Sequence, residues 1–276
     1  MSVYDEPKID CHCHVLDPVR FPYGDASVYR PAGQEIGTAA QFTQVMDAYG
    51  VTHALLVGPN SGYEQDNRCL LDAIANGEGR FKGIAVVPND IEDGALRSLR
   101  AAGIVGVAFN ATFHGVAFYR DTEDLLARLA ALDLCVSLQV EHDQLVELAP
   151  MLRRAGVRVL IDHCGRPTTA AGLDQPGFRT LLQLGQTGRV FVKLSGYGKF
   201  AQTPFPHDDA RPYVDALLDA FTPDRCLWAS DWPFLRAPER IDYGPLLNLV
   251  ERFVPDVPDR RRVLFETPRS VLDFGC

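Results

Sequence analysis

Short β-branched apolar runs recur along the chain, and each is followed by a stretch whose apolar residues return at helical spacing. The runs predict strands at Lys8–His14, His53–Gly58, Phe81–Val87, Ile104–Asn110, Leu134–Val140, Val157–His163, Val190–Gly196 and Cys226–Trp232. The stretches between them predict helices around Thr38–Tyr49, Gln65–Asn76, Glu92–Ala101, Thr122–Ala131, Asp143–Arg154, Gly177–Gly185, Ala210–Phe221 and Pro238–Phe253. In the fourth of these, Leu125, Leu126, Leu129 and Leu132 fall on one side, as a helix laid on a sheet requires. Eight alternations in 276 residues, at about 34 residues per unit, predict an α/β fold of the (β/α)8 or TIM-barrel kind, formed as a single domain over residues 1–276. An open doubly wound sheet would place a glycine-rich phosphate turn after its first strand, where this chain has "DCHCH". The segments Val15–Gly37 and Gly198–Asp209 are too long for ordinary connections and read as active-site loops.

Composition narrows the function classes. Acidic residues outnumber basic ones, 36 to 27, for a formal charge of −9, so there is no electrostatic reason to approach nucleic acid or an anionic membrane. The apolar runs are far shorter than the ~20 residues that span a bilayer. Seven cysteines, an odd number spread through the chain, and a start without a charged and then apolar segment lead us to expect free thiols and a cytoplasmic protein, a monomer or homodimer.

The chemistry is concentrated at predicted strand ends. Alternation puts Asp10, His12 and His14 on one face of the first strand and Cys11 and Cys13 on the other, packed against a helix. The sixth strand ends in His163 within "IDHCGRP" and the eighth in Asp231 within "LWASDWP". The eighth strand closes a barrel beside the first, so Asp231 should meet His12 and His14 at the C-terminal rim, where barrels carry their sites. Asp162 is expected to face outward as a cap of the next helix. His207 is expected to be solvated, His53 and Trp228 structural, and Trp232 either packing or pocket lining. Lys193 could be a counter-charge to Asp231 or a stem packed in the barrel.

The ordered set "DCHCH", "IDHCGRP", "VFVKLSG" and "LWASDWP" resembles the amidohydrolase superfamily, in its branch of 2-pyrone-4,6-dicarboxylate and sugar-acid lactonases, from about Ile9 to Phe274. The resemblance implies a hydrolase that opens the lactone of a small organic acid in aromatic or sugar-acid catabolism. Most amidohydrolases hold one or two divalent metals with an HxH pair, further histidines and the strand-eight Asp. Here the positions of the bridging acid and of the strand-five histidine fall on Asn110 and Gln139, poor zinc ligands, as in the lactonase branch, which works without a metal. No cofactor is therefore expected; a single zinc on His12, His14, His163 and Asp231, serving a decarboxylase, is the alternative. Without a metal, Asp231 is expected to act as general base on water, with His12, His14 and His163 polarising the carbonyl.

The resemblance also implies substrate contacts. Tyr29 and Ser61 match a Tyr and a Ser that help bind carboxylates in that branch. Its arginines are replaced by Ala108, by a position near His114, and by Lys199. Arginine grips a carboxylate through a planar fork that lysine lacks, so a substrate with one carboxylate, or a neutral hydroxylated lactone, is easier to accommodate than a dicarboxylate. Asn110, Gln139 and Arg166 complete the set of expected substrate contacts, Arg166 holding a carboxylate or capping a loop.

Overall fold

The structure is a computed structural model and describes residues 2–25 and 27–275. Eight strands are present: β1 Lys8–Cys13, β2 Val51–Val57, β3 Phe81–Ala85, β4 Ile104–Asn110, β5 Cys135–Gln139, β6 Val159–Ile161, β7 Val190–Leu194 and β8 Cys226–Trp228. All neighbours are parallel and run in chain order from β1 to β8. The ring closes between the extension of β8 and β1, where the Asp231 N–H donates to the His12 carbonyl at 2.8 Å and the His14 N–H to the Trp232 carbonyl at 2.7 Å. Between strands lie α1 Ala39–Tyr49, α2 Arg68–Asn76, α3 Asp93–Ala101, α4 Glu123–Ala131, α5 Gln144–Ala155, α6 Pro176–Leu184 and α7 Arg211–Phe221, with α8 Tyr243–Phe253 after β8. The result is the (β/α)8 barrel that the repeat implied. Short helical turns over residues 257–271, which the periodicity did not suggest, cross beneath it.

Two apolar layers hold the barrel. Outward strand residues such as Leu56, Val107, Val192 and Trp228 pack on helix residues such as Phe42, Leu126, Leu181 and Leu247. Inward residues Ile9, Cys11, Leu55, Ile84, Leu160 and Leu227 fill the interior, closed below by Leu272 and Phe274. The six described cysteines are free and buried; Cys276 lies outside the described residues. His53 stacks on Phe274 near the foot of the barrel, a structural role, and Trp228 packs edge-on against Tyr243.

Three expectations about facing are corrected. The β1–β2 register slips between Asp10 and Cys13, so Cys11 and His12 both turn inward while Asp10 turns outward. Asp10 accepts from the Ser230 N–H and from the Tyr243 hydroxyl of α8, each at 2.9 Å. Cys11 thus lies in the barrel interior, and Cys13 alone faces the helices. In β6 the inward residue is Leu160, so alternation sends Asp162 inward as well, and it caps no helix. His207 is buried, its ring nitrogen 3.1 Å from the Thr203 carbonyl, because its left-handed backbone folds the side chain under its own loop.

Candidate active site

The bulge in β1 places His12 and His14 side by side at the barrel mouth, ring centroids 5.0 Å apart. His163 joins them although Asp162, its neighbour, also points inward. The chain turns left-handed at His163 and Cys164, φ 51° and 55°, which swings the imidazole back over the barrel. That position depends on Gly196 after β7, because a Cβ there would approach the His163 ring to 2.7 Å. Asp231 follows the inward alternation of Leu227 and Ala229 and ends at the centre of the imidazoles. The Nε2 atoms of His14, His163 and His12 lie 3.5, 3.6 and 3.8 Å from its Oδ1.

A second ring of groups fixes these side chains. The Nδ1–H of His14 donates to the Val57 carbonyl at 2.7 Å, which turns its Nε2 toward the site. Nδ1 of His163 pairs with the Ser195 hydroxyl at 3.0 Å. Nδ1 of His12 lies 3.3 Å from the Asp162 carboxylate and 3.2 Å from the Lys193 ammonium. Lys193 pairs with Asp162 at 2.8 Å, and the Ser137 hydroxyl bonds to both. Lys193 therefore balances Asp162. The counter-charge on Asp231 is Lys199, whose ammonium lies 2.8 Å from Oδ2.

These surroundings set protonation. Burial and the nearby Lys193 ammonium push the His12 imidazole down to about 4, and burial holds His163 well below its usual value. Burial works against the charged form of Asp231, but Lys199 and the imidazoles outweigh it and keep the carboxyl well below the usual range. Lys193 and His12 outweigh burial in the same way at Asp162. Asp10, outside this cluster, is raised by burial to about 6.

A pH dependence of stability follows. As the pH falls through about 6.5, His12 and His163 take up protons in the unfolded chain but not in the folded one. Their contribution is complete above that pH and is lost on acidification. Asp10 acts in the opposite direction between about 6 and 4, one proton against two. Urea unfolding should therefore show stability decreasing from pH 7 to 4.5; a midpoint that stays level or rises would contradict neutral, buried imidazoles at His12 and His163.

Above Asp231 opens a cavity of about 380 Å³. His14, His163, Asp231, Ser61, Asn110, Gln139, Arg166 and Lys199 line it. Asn110 donates to Asn60 at 3.0 Å and Gln139 donates to Thr112 at 2.8 Å, so one wall is a continuous amide and hydroxyl network. His12 lies directly below, buried. Two expected contacts stand apart from this lining. The hydroxyl of Tyr29 donates to Glu35 and its ring lies under the Arg236 guanidinium; His114 is exposed, stacks on Phe118 and touches the cavity wall through Asn60 and Phe113. Trp232 stacks on Phe42. The sequence reading missed Arg236, which does line the cavity, and the Ser137–Asp162–Lys193 network beneath it.

Three imidazoles and a carboxylate at the mouth of this barrel place the chain in a family. It belongs to the amidohydrolases, whose family profile matches residues 9–274. A 4-sulfomuconolactone hydrolase from Rhizobium radiobacter is 35% identical over 276 residues, covering 96% of this chain and 89% of that one. The crystal structure of a probable 2-pyrone-4,6-dicarboxylic acid hydrolase from Acinetobacter baumannii, with citric acid bound, superimposes with a TM-score of 0.83 at 27% identity, covering 97% and 99% of the two chains. A zinc-bound amidohydrolase from Burkholderia multivorans shares the fold, with a TM-score of 0.76 at 21% identity over 97% of this chain and 99% of that one.

Members of the superfamily often bind a metal, and the donor set here suits one divalent ion. Ligand atoms of His12, His163 and Asp231 all lie within 4.8 Å of one another, His14 stands beside them, and each imidazole is anchored through its Nδ1. A second ion would need an acid on β4 and a histidine on β5, where Asn110 and Gln139 stand. Among the described residues no helix is long and apolar enough to cross a membrane.

Proposed function

We propose that the protein hydrolyses a small lactone, with Asp231 activating the attacking water, and that it does so without a metal. The observation that carries this reading is the ionised Asp231, ringed by three imidazoles at the floor of a cavity sized for a small molecule. A lactone presents an electrophilic carbonyl and a ring oxygen that leaves as an alkoxide or enolate, so one positioned carboxylate and fixed hydrogen-bond donors are enough to open it.

The hydrogen bonds divide the work among the histidines. His14 is committed at Nδ1 to a carbonyl and turns its Nε2 to Asp231, beside which it helps hold the water. His163 can accept at Nδ1 from the Ser195 hydroxyl, and His12 from the Lys193 ammonium, which leaves an Nε2–H on each to stabilise the developing oxyanion. Lys199 keeps Asp231 ionised and weakens it as a base. A substrate that takes up part of the lysine's charge restores that basicity at the moment it is needed.

The charge balance favours the metal-free reading. Asp162 and Asp231 are already neutralised by Lys193 and Lys199, so a dication would leave two uncompensated positive charges. When bound, an ion on His12, His14, His163 and Asp231 would lower the pKa of its water and polarise the carbonyl. Metal analysis after treatment with a chelator distinguishes the two. Metal-depleted protein is expected to retain turnover within about twofold; loss of activity that zinc restores would overturn metal independence. The likeness also supports a cytoplasmic catabolic enzyme acting as one domain over residues 1–276.

A further inference from the structure

The two oxygens of Asp231 meet different partners. Oδ1 lies 3.5–3.8 Å from the Nε2 atoms of His14, His163 and His12, and Oδ2 lies 2.8 Å from the ammonium of Lys199. A water held between Asp231 and His14 therefore stands on the Oδ1 side, while Lys199 occupies the other. Lys199 also lines the cavity, with 23% of its side chain exposed. An ammonium has three N–H donors. One goes to Oδ2 and a second to the Leu235 carbonyl at 3.3 Å; the third has no acceptor among the described residues.

Opening a lactone makes a demand that the imidazoles do not meet. Water adds to the carbonyl to give a tetrahedral oxyanion, whose collapse breaks the bond from that carbon to the ring oxygen. The ring oxygen departs as a basic alkoxide unless a proton reaches it. The Nε2–H groups of His12 and His163 serve the carbonyl oxygen, and the Nδ1–H of His14 is taken by Val57. Arg166 and Arg236 carry guanidinium groups, which do not release protons. The amides and hydroxyls of Asn60, Ser61, Asn110, Thr112 and Gln139 are far weaker acids than an ammonium. Lys199 is left as the one acid in the cavity lining.

We propose that Lys199 is the catalytic acid that protonates the leaving ring oxygen. Asp231 takes one proton from the water as the new carbon–oxygen bond forms. When the ring carbon–oxygen bond breaks, its electron pair stays on the ring oxygen, which takes a proton from Lys199 and leaves as an alcohol. The second water proton, on the new carboxylic acid, passes to the neutral amine, and Asp231 returns its proton to solvent. The products are a hydroxy-carboxylate and one proton. The ion pair orders these steps, because a protonated Asp231 no longer holds the ammonium, which is then free for the leaving oxygen. The assignment rests on the lactonase reading.

The test compares wild type with Lys199→Arg on two six-membered lactones. The ring oxygen of δ-valerolactone leaves as an alkoxide; that of dihydrocoumarin leaves as a phenolate, which needs little help because a phenol titrates near pH 10. Arginine keeps a positive charge beside Asp231 but has no proton to give. Turnover of δ-valerolactone should fall by roughly 10² to 10⁴, and that of dihydrocoumarin much less. A fall of about tenfold or more in the ratio of the two kcat values supports the assignment. A smaller change overturns it, since a lysine that acts only as counter-charge affects both lactones alike. Circular dichroism reports folding; should the longer arginine disturb it, Lys199→Gln is read by the same ratio. If wild type opens neither lactone, the hydrolase reading fails and the assignment falls with it, whereas a steady ratio in an active enzyme removes the assignment alone.

Discussion

Replacing Asp231 by Asn should lower kcat by roughly 10² to 10⁴ while leaving the fold intact, because the change removes the base and little else. The carboxylate stands 3.5–3.8 Å from three imidazole nitrogens and is, among the described residues, the only carboxylic acid lining the cavity, so no other carboxylate can take the proton in its place. The amide keeps the shape of the side chain and can still accept from Lys199 through its oxygen. Steady-state rates, with circular dichroism to confirm folding, check the expectation. A variant that turns over within tenfold of wild type would show that the water is activated elsewhere.

The largest expected effect on stability comes from Lys193→Met. Lys193 is fully buried and reaches Asp162, Ser137 and His12 within 2.8–3.2 Å. Removing its ammonium leaves the Asp162 carboxylate charged and without its cation inside the barrel, at a cost of roughly 3–5 kcal/mol. Urea denaturation measures the loss. The double variant Lys193→Met with Asp162→Asn should recover part of it, since the stranded charge is then gone. A single variant within about 1 kcal/mol of wild type would mean that the two charges are not coupled as their contact implies.

Much of the fold was readable because strand and helix periods differ and alternate eight times. The main helices fall within a few residues of their expected positions, while β6 and β8 are shorter than their apolar runs because the chain leaves the ladder before it leaves the barrel mouth. His12 and His14 were legible as a pair because both still turn to the barrel mouth despite the slip between Asp10 and Cys13. The facing of Asp10 and Cys11 was not, since a bulge leaves no mark in composition. Asp162 and His163 look like alternating neighbours, and only the left-handed turn at His163 brings both inside. Lys193 sits among apolar residues in "VFVKLSG", a visible hint of a buried charge, but its partner Asp162 is 31 positions away and alternation with His163 points it outside. Arg236 gave no signal at all. Its place in the cavity wall is held by Tyr29 and Glu35, which reach it from the long loop after β1, and no local pattern encodes that meeting.

The central claim is that water, activated at Asp231, adds to a lactone carbonyl. Turnover in ¹⁸O-labelled water, with whichever pyrone, muconate-derived or sugar-acid lactone the protein opens fastest, tests it most directly. The account predicts one ¹⁸O in the new carboxylate, none in the released hydroxyl, no loss of carbon dioxide, and disappearance of this product in Asp231→Asn. Label in the hydroxyl, or carbon dioxide from a decarboxylation, would contradict it.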